Sequence, residues 1–144
     1  MTAETPFSTV SMIALGVADL ARARAFYEAL GFTAGPSSGD HIVFFQIGAL
    51  VLSLFPRTLL AEDADVADDG HGFDGMTLAH NYASEEAVDA AMAHALASGA
   101  SLKKTPQKVF WGGYSGYFAD PDGHLWEVAF NPFVKVDDRG IVTL

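Results

Sequence analysis

The most chemically suggestive stretch of this sequence is an aromatic, glycine-rich run, Phe110–Tyr117. Paired glycines between aromatic side chains let the backbone bend sharply and approach a ligand closely. Trp111, Tyr114 and Tyr117 could then stack on a planar or cationic ligand. Aromatic core packing at a strand bend would explain the same run, so both interpretations stay open.

A single carboxylate, Glu127, stands in an otherwise apolar strand-like segment, His124–Phe130. Desolvation raises the pKa of a carboxyl group and suits it to general-base work or to binding a cation. A structural Glu that pairs with a neighbouring strand is the alternative. Asn81, if it faces the same site, would add an amide donor and acceptor.

Composition and charge exclude several classes of function. The chain has 8 Lys and Arg against 18 Asp and Glu, a net charge of −10, so no nucleic-acid partner is expected. It has no cysteine, which excludes disulfides, thiolate nucleophiles and Cys-ligated metal sites. Phosphate-loop and nucleophile-elbow motifs do not occur, and the G-x-G-x-x-G spacing at Gly70–Gly75 lies between an acidic linker and a strand-like segment rather than between a strand and a helix.

Membrane insertion and secretion are not expected either. Met1–Phe7 lacks a basic segment followed by an apolar one, and the apolar run Ile47–Phe55 is about half the length of a membrane-spanning helix. We therefore expect a cytoplasmic protein. Its mean hydropathy of +0.22 with 18% charged residues is high for a soluble monomer, so an apolar cavity or a homodimer interface is expected.

The elements that must position these residues fall into two similar halves. In the first half, Thr9–Val17 is strand-like, and Asp19 is placed to cap a helix over Leu20–Leu30. Two apolar runs that follow, His41–Ile47 and Ala49–Phe55, predict a hairpin.

An acidic linker leads to the second half, where the pattern starts again. Gly75–Tyr82 is strand-like, and Ser84 is placed to cap a helix that Gly99 ends. The three further strands predicted are Lys108–Trp111, Tyr114–Ala119 and His124–Phe130.

The repeated order of elements predicts one α+β domain over residues 1–144. Module one spans about residues 8–56, the linker 57–73, module two about 74–132 and a C-terminal tail 133–144. A ferredoxin-like sandwich with coincidental symmetry is the alternative.

Two segments resemble the vicinal oxygen chelate superfamily of glyoxalases, bleomycin resistance proteins and extradiol dioxygenases. The first runs from Gly16–Leu20 through Phe26–Tyr27 to Leu30–Phe32, and the second is Gly116–Glu127. The resemblance implies two βαβββ modules that form a curved, mostly antiparallel, cup-shaped sheet. The helices would lie on the convex face and the site on the concave face.

In metal-dependent members of this superfamily, His and Glu side chains from the cup wall hold a divalent ion that binds two vicinal oxygens of the substrate. The resemblance places these ligand positions at Met12, Leu52 or Ser53, Thr77 and Glu127. None is an imidazole and Glu127 alone is a carboxylate, which is a poor donor set for a divalent ion. We therefore predict no metal and no cofactor, with a divalent metal as the alternative.

Two histidines bear on that alternative. Strict alternation places His80 with Leu78 and Tyr82 toward the helices, so His80 reaches the cup only if its strand contains a bulge. His41 begins a strand and could turn inward. The residues predicted to line the ligand cavity are Met12, Phe44, Thr77, His80, Asn81, Trp111, Tyr114, Tyr117 and Glu127.

Three functions follow from the resemblance and from these residues. The first is a glyoxalase or bleomycin-resistance-like protein that binds a small, cationic or amine-bearing organic molecule without a metal. The second is a divalent-metal-dependent lyase, isomerase or dioxygenase. The third is a metal-free enzyme with Glu127 as its catalytic general base. In each case we expect a homodimer, with the C-terminal tail against the partner.

Overall fold

The computed structural model describes residues 9–144. The predictions for Met1–Phe7 and for the first residue of module one lie outside the described residues. The elements, in chain order, are β1 (Met12–Val17), α1 (Leu20–Leu30), β2 (Val43–Ile47), β3 (Leu50–Pro56), α2 (Arg57–Asp63), β4 (Thr77–Asn81), α3 (Glu85–Ala97), β5 (Ser101–Lys108), β6 (Tyr114–Ala119), β7 (Leu125–Phe130), β8 (Lys135–Val136) and β9 (Val142–Thr143).

Both long helices begin where the sequence predicts. The Asp19 carboxylate accepts a hydrogen bond from the backbone N–H of Arg22 at 3.0 Å, and the Ser84 hydroxyl accepts one from Ala87 at 3.1 Å. Each bond satisfies a backbone donor that the first turn of a helix leaves free. Helix α1 ends at Gly31, whose φ of 126° suits a residue without a side chain.

Strands β1 to β7 form two sheets with the same internal order, and β8 pairs with β9 in a separate two-stranded sheet. The first sheet is β1-β3-β2 and the second is β4-β7-β6-β5. In each sheet the strand before the helix pairs in parallel with the last strand of its half, β1 with β3 and β4 with β7, and the remaining pairs are antiparallel. The second sheet has β5 as its edge strand beside β6. At the equivalent place beside β2, the first sheet has a single β-bridge between Ala34 and Phe45. The predicted α+β class is confirmed.

One core joins the two halves on the helix side of the sheets. Its buried strand residues include Leu15, Phe45 and Leu54 from the first sheet and Phe118 and Trp126 from the second. Helices α1 and α3 cover this side. We call the opposite side of both sheets, which points away from α1 and α3, the open face.

Strand β5 differs from the sequence prediction. The predicted strand Lys108–Trp111 is wrong, because the strand is Ser101–Lys108 and a turn follows, with Gly112 N–H donating to the Val109 carbonyl at 3.0 Å. Strand β5 is polar and contains Pro106, both of which an edge strand tolerates. The acidic linker contains α2. Among the described residues, no helix is long and apolar enough to cross a membrane.

Candidate functional site

Glu127 lies on the open face of the second sheet, between two neighbouring strands. In the strand register it stands opposite Ala79 on β4 and Tyr117 on β6. Side chains that face each other across strands in this way have Cβ atoms about 5 Å apart. The carboxylate and the phenol therefore share one small area of the open face, and both side chains are partly buried.

The protonation of Tyr117 is set by this neighbourhood. Burial raises the pKa of the Tyr117 phenol, and the negative charge of Glu127 raises that pKa further. Tyr117 therefore keeps its proton at neutral pH, so its hydroxyl can donate a hydrogen bond to the carboxylate or to a ligand beside it.

Asn81 and Thr77 lie on the same face as Glu127. They flank Ala79 at two-residue spacing on β4, and that spacing keeps their side chains on one side of the sheet. Asn81 is partly buried and Thr77 is exposed. The structure thus brings Thr77, Asn81, Tyr117 and Glu127 together.

Met12 and Phe44 lie on the open face of the first sheet. Met12 pairs with Val51, and Phe44 pairs with Ser53. A cavity of about 250 Å³ includes Met12 and Phe44, and its lining comes from the first half of the chain: Met12, Gly35, Pro36, Ser37, Phe44, Gln46 and Val51. Met12 remains 49% exposed. Because Met12 and Phe44 belong to the first sheet, this part of the predicted cavity lies on a different sheet from Glu127.

His80 and Tyr114 lie on the helix side, on the opposite face of the second sheet from Glu127. Strand β4 keeps its alternation, with His80 opposite Val128, and the bulge that would have turned His80 around is absent from its register. Tyr114 pairs with Phe130, and its hydroxyl donates to Oδ1 of Asp89 on α3 at 2.7 Å.

Trp111 and His41 lie outside the strands. Trp111 belongs to the turn between β5 and β6, where its ring packs against Gly113, and a side chain at position 113 would collide with that ring. It is 38% exposed, and its contact with a ligand stays a prediction. His41 is exposed and precedes β2.

Two polar residues of the open face were missed because the sequence interpretation misplaced β5. Lys104 pairs with Tyr117, and Gln107 pairs with Ser115. The register shifts between these pairs, which indicates bulges in β5. Alternation of side chains along β5 could have indicated which of its residues face the ligand side. The bulges and Pro106 interrupt that alternation, so the sequence does not show it clearly.

A family model that matches most of the chain shows which family this protein belongs to. The model of the Glyoxalase/Bleomycin resistance protein/Dioxygenase superfamily matches residues 9–128. The chain belongs to this superfamily. The resemblance seen in the sequence is therefore confirmed, and so is the fold that it implies.

Solved structures of the superfamily agree with this assignment. A glyoxalase-related enzyme from Fulvimarina pelagi is 36% identical, with a TM-score of 0.84 over 96% of this chain and 99% of that one. A lactoylglutathione lyase from Agrobacterium tumefaciens is 26% identical, with a TM-score of 0.63 over 88% and 96%. No match to a curated protein is significant.

The residues at the superfamily's metal-ligand positions do not fit a divalent ion. Ala14 and Phe44 both pair with Ser53, so Ser53 rather than Leu52 lies on the open face. The donor set is then Met12, Ser53, Thr77 and Glu127, which offers a thioether, two hydroxyls and one carboxylate. Within residues 9–144, three or more His, Asp or Glu side chains nowhere gather closely enough to hold a metal.

Proposed function

We propose that this protein binds a small organic molecule on its open face, with Glu127 and Tyr117 as the main polar contacts, and that it does so without a catalytic metal. The observation that carries the proposal is the donor set of Met12, Ser53, Thr77 and Glu127, which suits an organic ligand better than a hard cation.

The charges of the chain favour a ligand with an amine or another cationic group. The net charge of −10 attracts cations over long range, and the Glu127 carboxylate provides a specific partner. Tyr117 offers an aromatic face next to that carboxylate. Lys104 lies on the other side of Tyr117, but it is exposed and water screens its charge.

A second copy of the chain would complete the site. The open faces of the two sheets carry exposed side chains, among them Met12 and Thr77. Phe110, in the turn between β5 and β6, is fully exposed, and Phe133, in the C-terminal tail, is 76% exposed, which is unusual for large apolar side chains of a monomer. These features support a homodimer in which the partner covers exposed apolar surface.

Binding can be tested by calorimetric titration of the full chain with a panel of basic aromatic compounds, including bleomycin-type antibiotics. We expect at least one to bind, and Glu127→Gln to weaken that binding about tenfold, which corresponds to one lost charge-assisted hydrogen bond. Glu62→Gln, on exposed α2, is the matched control and should bind as the wild type does. Failure of a folded protein to bind any compound would argue strongly against the proposal.

A metal-dependent enzyme is the second candidate, and the similarity to the Agrobacterium tumefaciens lactoylglutathione lyase favours it. It requires about one equivalent of Ni, Zn, Mn or Fe in protein purified without chelator. Elemental analysis separates the two candidates in one measurement, because the first requires no stoichiometric metal.

The partly buried Glu127 beside Tyr117 also supports a third candidate, a metal-free enzyme with Glu127 as general base. In that case Glu127→Gln should abolish turnover of a substrate while leaving its affinity nearly unchanged. The first candidate gives the opposite pattern, with affinity lost.

A further inference from the structure

The C-terminal tail packs back onto the second half of its own chain. Its strands β8 and β9 pair around a turn, in which the Asp137 carboxylate accepts hydrogen bonds from the backbone N–H groups of Arg139 at 2.8 Å and Ile141 at 2.9 Å. We call residues 135–143 the C-terminal hairpin. None of them is buried, and only Val136 and Gly140 are partly buried. A two-stranded hairpin is marginally stable by itself, so its position depends on the surface against which it packs.

Gly140 of the C-terminal hairpin lies against the ring of His80 on β4. A Cβ on Gly140 would lie 2.6 Å from Nε2 and 3.1 Å from Nδ1 of that ring, so a larger residue could make this contact only by displacing the ring. Gly140 also has a φ of 82°, which favours a residue without a side chain. The His80 ring stacks with the Tyr82 ring as well, with centroids 4.4 Å apart. His80 therefore packs against both its own strand and the hairpin.

This packing suits the neutral form of the His80 ring and not the charged form. Nδ1 of His80 is buried and has no hydrogen-bond partner within residues 9–144. An imidazolium carries a proton on both ring nitrogens, so a charged ring would hold a buried N–H donor without an acceptor. Burial lowers the pKa of His80, and the nearby backbone of Asn81 offsets only part of that effect.

The groups around His80 do not balance a positive charge on its ring. On the C-terminal hairpin, residues 137–139 are two aspartates and an arginine, all exposed to water, and none of them shifts the pKa of His80. On α3, His94 lines the same cavity as His80, and its Nε2 lies 2.8 Å from the Leu30 carbonyl oxygen at the end of α1. On β7, the residue opposite His80 is the apolar Val128. Burial raises the pKa of Tyr82, so that phenol stays neutral.

We propose that the C-terminal hairpin is a pH-sensitive strap, docked on His80 while the His80 ring is neutral and released when that ring takes up a proton. Docking buries the ring, and release returns it to water. Protonation therefore favours release by the same factor by which docking disfavours protonation. A histidine in water has a pKa of about 6.5, so the stability of the docked state is complete above that pH and declines as the pH falls below it.

The turn of the hairpin itself stays intact over the same range. The Ile141 N–H, which donates to the Asp137 carboxylate, lowers the pKa of Asp137. Asp137 therefore stays ionised down to about pH 4, and only the contact with His80 responds to milder acid.

The test is an NMR titration of the isotope-labelled full chain from about pH 7.5 to about pH 4.5. We expect the Gly140 signals, which the His80 ring shifts in the docked state, to move to those of an unstructured glycine as the pH falls. The Trp126 indole signal should stay constant and so report an intact fold. His80→Phe keeps an aromatic ring that cannot ionise, so its hairpin should stay docked throughout. His41→Phe, at an exposed histidine, is the matched control and should behave as the wild type does.

A second variant tests the same linkage from the side of the hairpin. In Gly140→Ala the added methyl group collides with the His80 ring, and a positive φ disfavours alanine, so the hairpin should already be released at about pH 7.5. The pKa of His80, read from its Cε1 proton, should then rise toward about 6.5. If His80→Phe does not fold, this measurement decides the matter. The proposal fails if the Gly140 signals stay docked while His80 titrates, if folded His80→Phe still releases the hairpin, or if Gly140→Ala leaves the pKa of His80 unchanged.

Discussion

The hydroxyl of Tyr27 donates a hydrogen bond to Oδ2 of Asp120 at 2.7 Å and so joins the two halves of the chain inside the core. Tyr27 lies on α1 and is fully buried, and Asp120 follows β6 and is 3% exposed. The indole N–H of Trp126 donates to the Tyr27 oxygen at 3.1 Å. This three-residue chain of hydrogen bonds fixes α1 against the second sheet.

The turn that contains Asp120 makes further contacts with the first half. Oδ1 of Asp122 accepts hydrogen bonds from the Ala18 N–H at 2.8 Å and from the Arg22 guanidinium at 3.0 Å. Nε2 of His124 lies 2.7 Å from the Gly16 carbonyl oxygen. The β6–β7 turn therefore attaches the second half to the junction between β1 and α1.

Removal of the Tyr27 hydroxyl should destabilise the fold more than removal of an exposed one. Tyr27→Phe leaves the buried Asp120 carboxylate without one of its donors, and hydrogen bonds to charged groups contribute about 1.5–3 kcal/mol. We expect a loss of that size in the free energy of unfolding, measured by urea denaturation. Tyr114→Phe also removes a bond to an aspartate but at the surface, so it is the control. Equal losses for the two variants would contradict a special role for the buried pair.

Alkaline pH should lower the free energy of unfolding because of the ionisation of Tyr27 in the unfolded chain. Burial and the negative charge of Asp120 raise the pKa of Tyr27. An unfolded tyrosine has a pKa of about 10, so above that pH the unfolded chain releases a proton that the folded chain retains. The stability due to Tyr27 is thus complete below about pH 10 and declines as the pH rises further.

The measurement is the urea midpoint between about pH 8 and about pH 11. The wild type should lose stability over the upper part of this range more steeply than Tyr27→Phe does. Tyr114, whose pKa is raised to about 12, is present in both proteins and adds the same slope to each. Parallel curves would show that Tyr27 does not carry the effect.

Local features of the fold could be predicted from the sequence, whereas long-range ones could not. The cap at Asp19 and the stop at Gly31 act within one turn of α1, so the residue types alone determine them. The partners of Asp120 and Asp122 lie about one hundred positions away, and no local pattern indicates them.

The candidate site shows the same division. Alternation along β4 places His80 toward the helices, which the structure confirms, but the cavity there depends on α1 and α3 and was not foreseen. Tyr114 was grouped with Tyr117 because the run of glycines suggested a bend. Regular alternation through β6 instead puts the two tyrosines on opposite faces.

Gly116 should be required for the close approach of β5 to β6. A Cβ at this position would lie 2.6 Å from the Lys104 carbonyl oxygen and 2.7 Å from the Pro106 nitrogen, both of which are backbone atoms. Gly116→Ala should therefore cost about 1–3 kcal/mol in the free energy of unfolding, because the backbone of β5 must move. Gly39→Ala, where a Cβ meets no atom within 4 Å, is the control. An unfolding free energy unchanged by Gly116→Ala would show that β5 adapts freely.

Self-association should depend on two exposed aromatic residues, one in the β5–β6 turn and one in the C-terminal tail. Phe110 is fully exposed, and the exposed Phe133 packs its ring edge near Gly112 in the same turn region. If a second copy covers this surface, the double variant Phe110→Ser/Phe133→Ser should raise the dimer dissociation constant about tenfold or more, because large aromatic anchors dominate interface energies. Val66→Ser removes an apolar side chain that is 66% exposed in the linker and should have no effect. Sedimentation equilibrium measures all three proteins, and a wild type that is monomeric at micromolar concentration would rule out the homodimer.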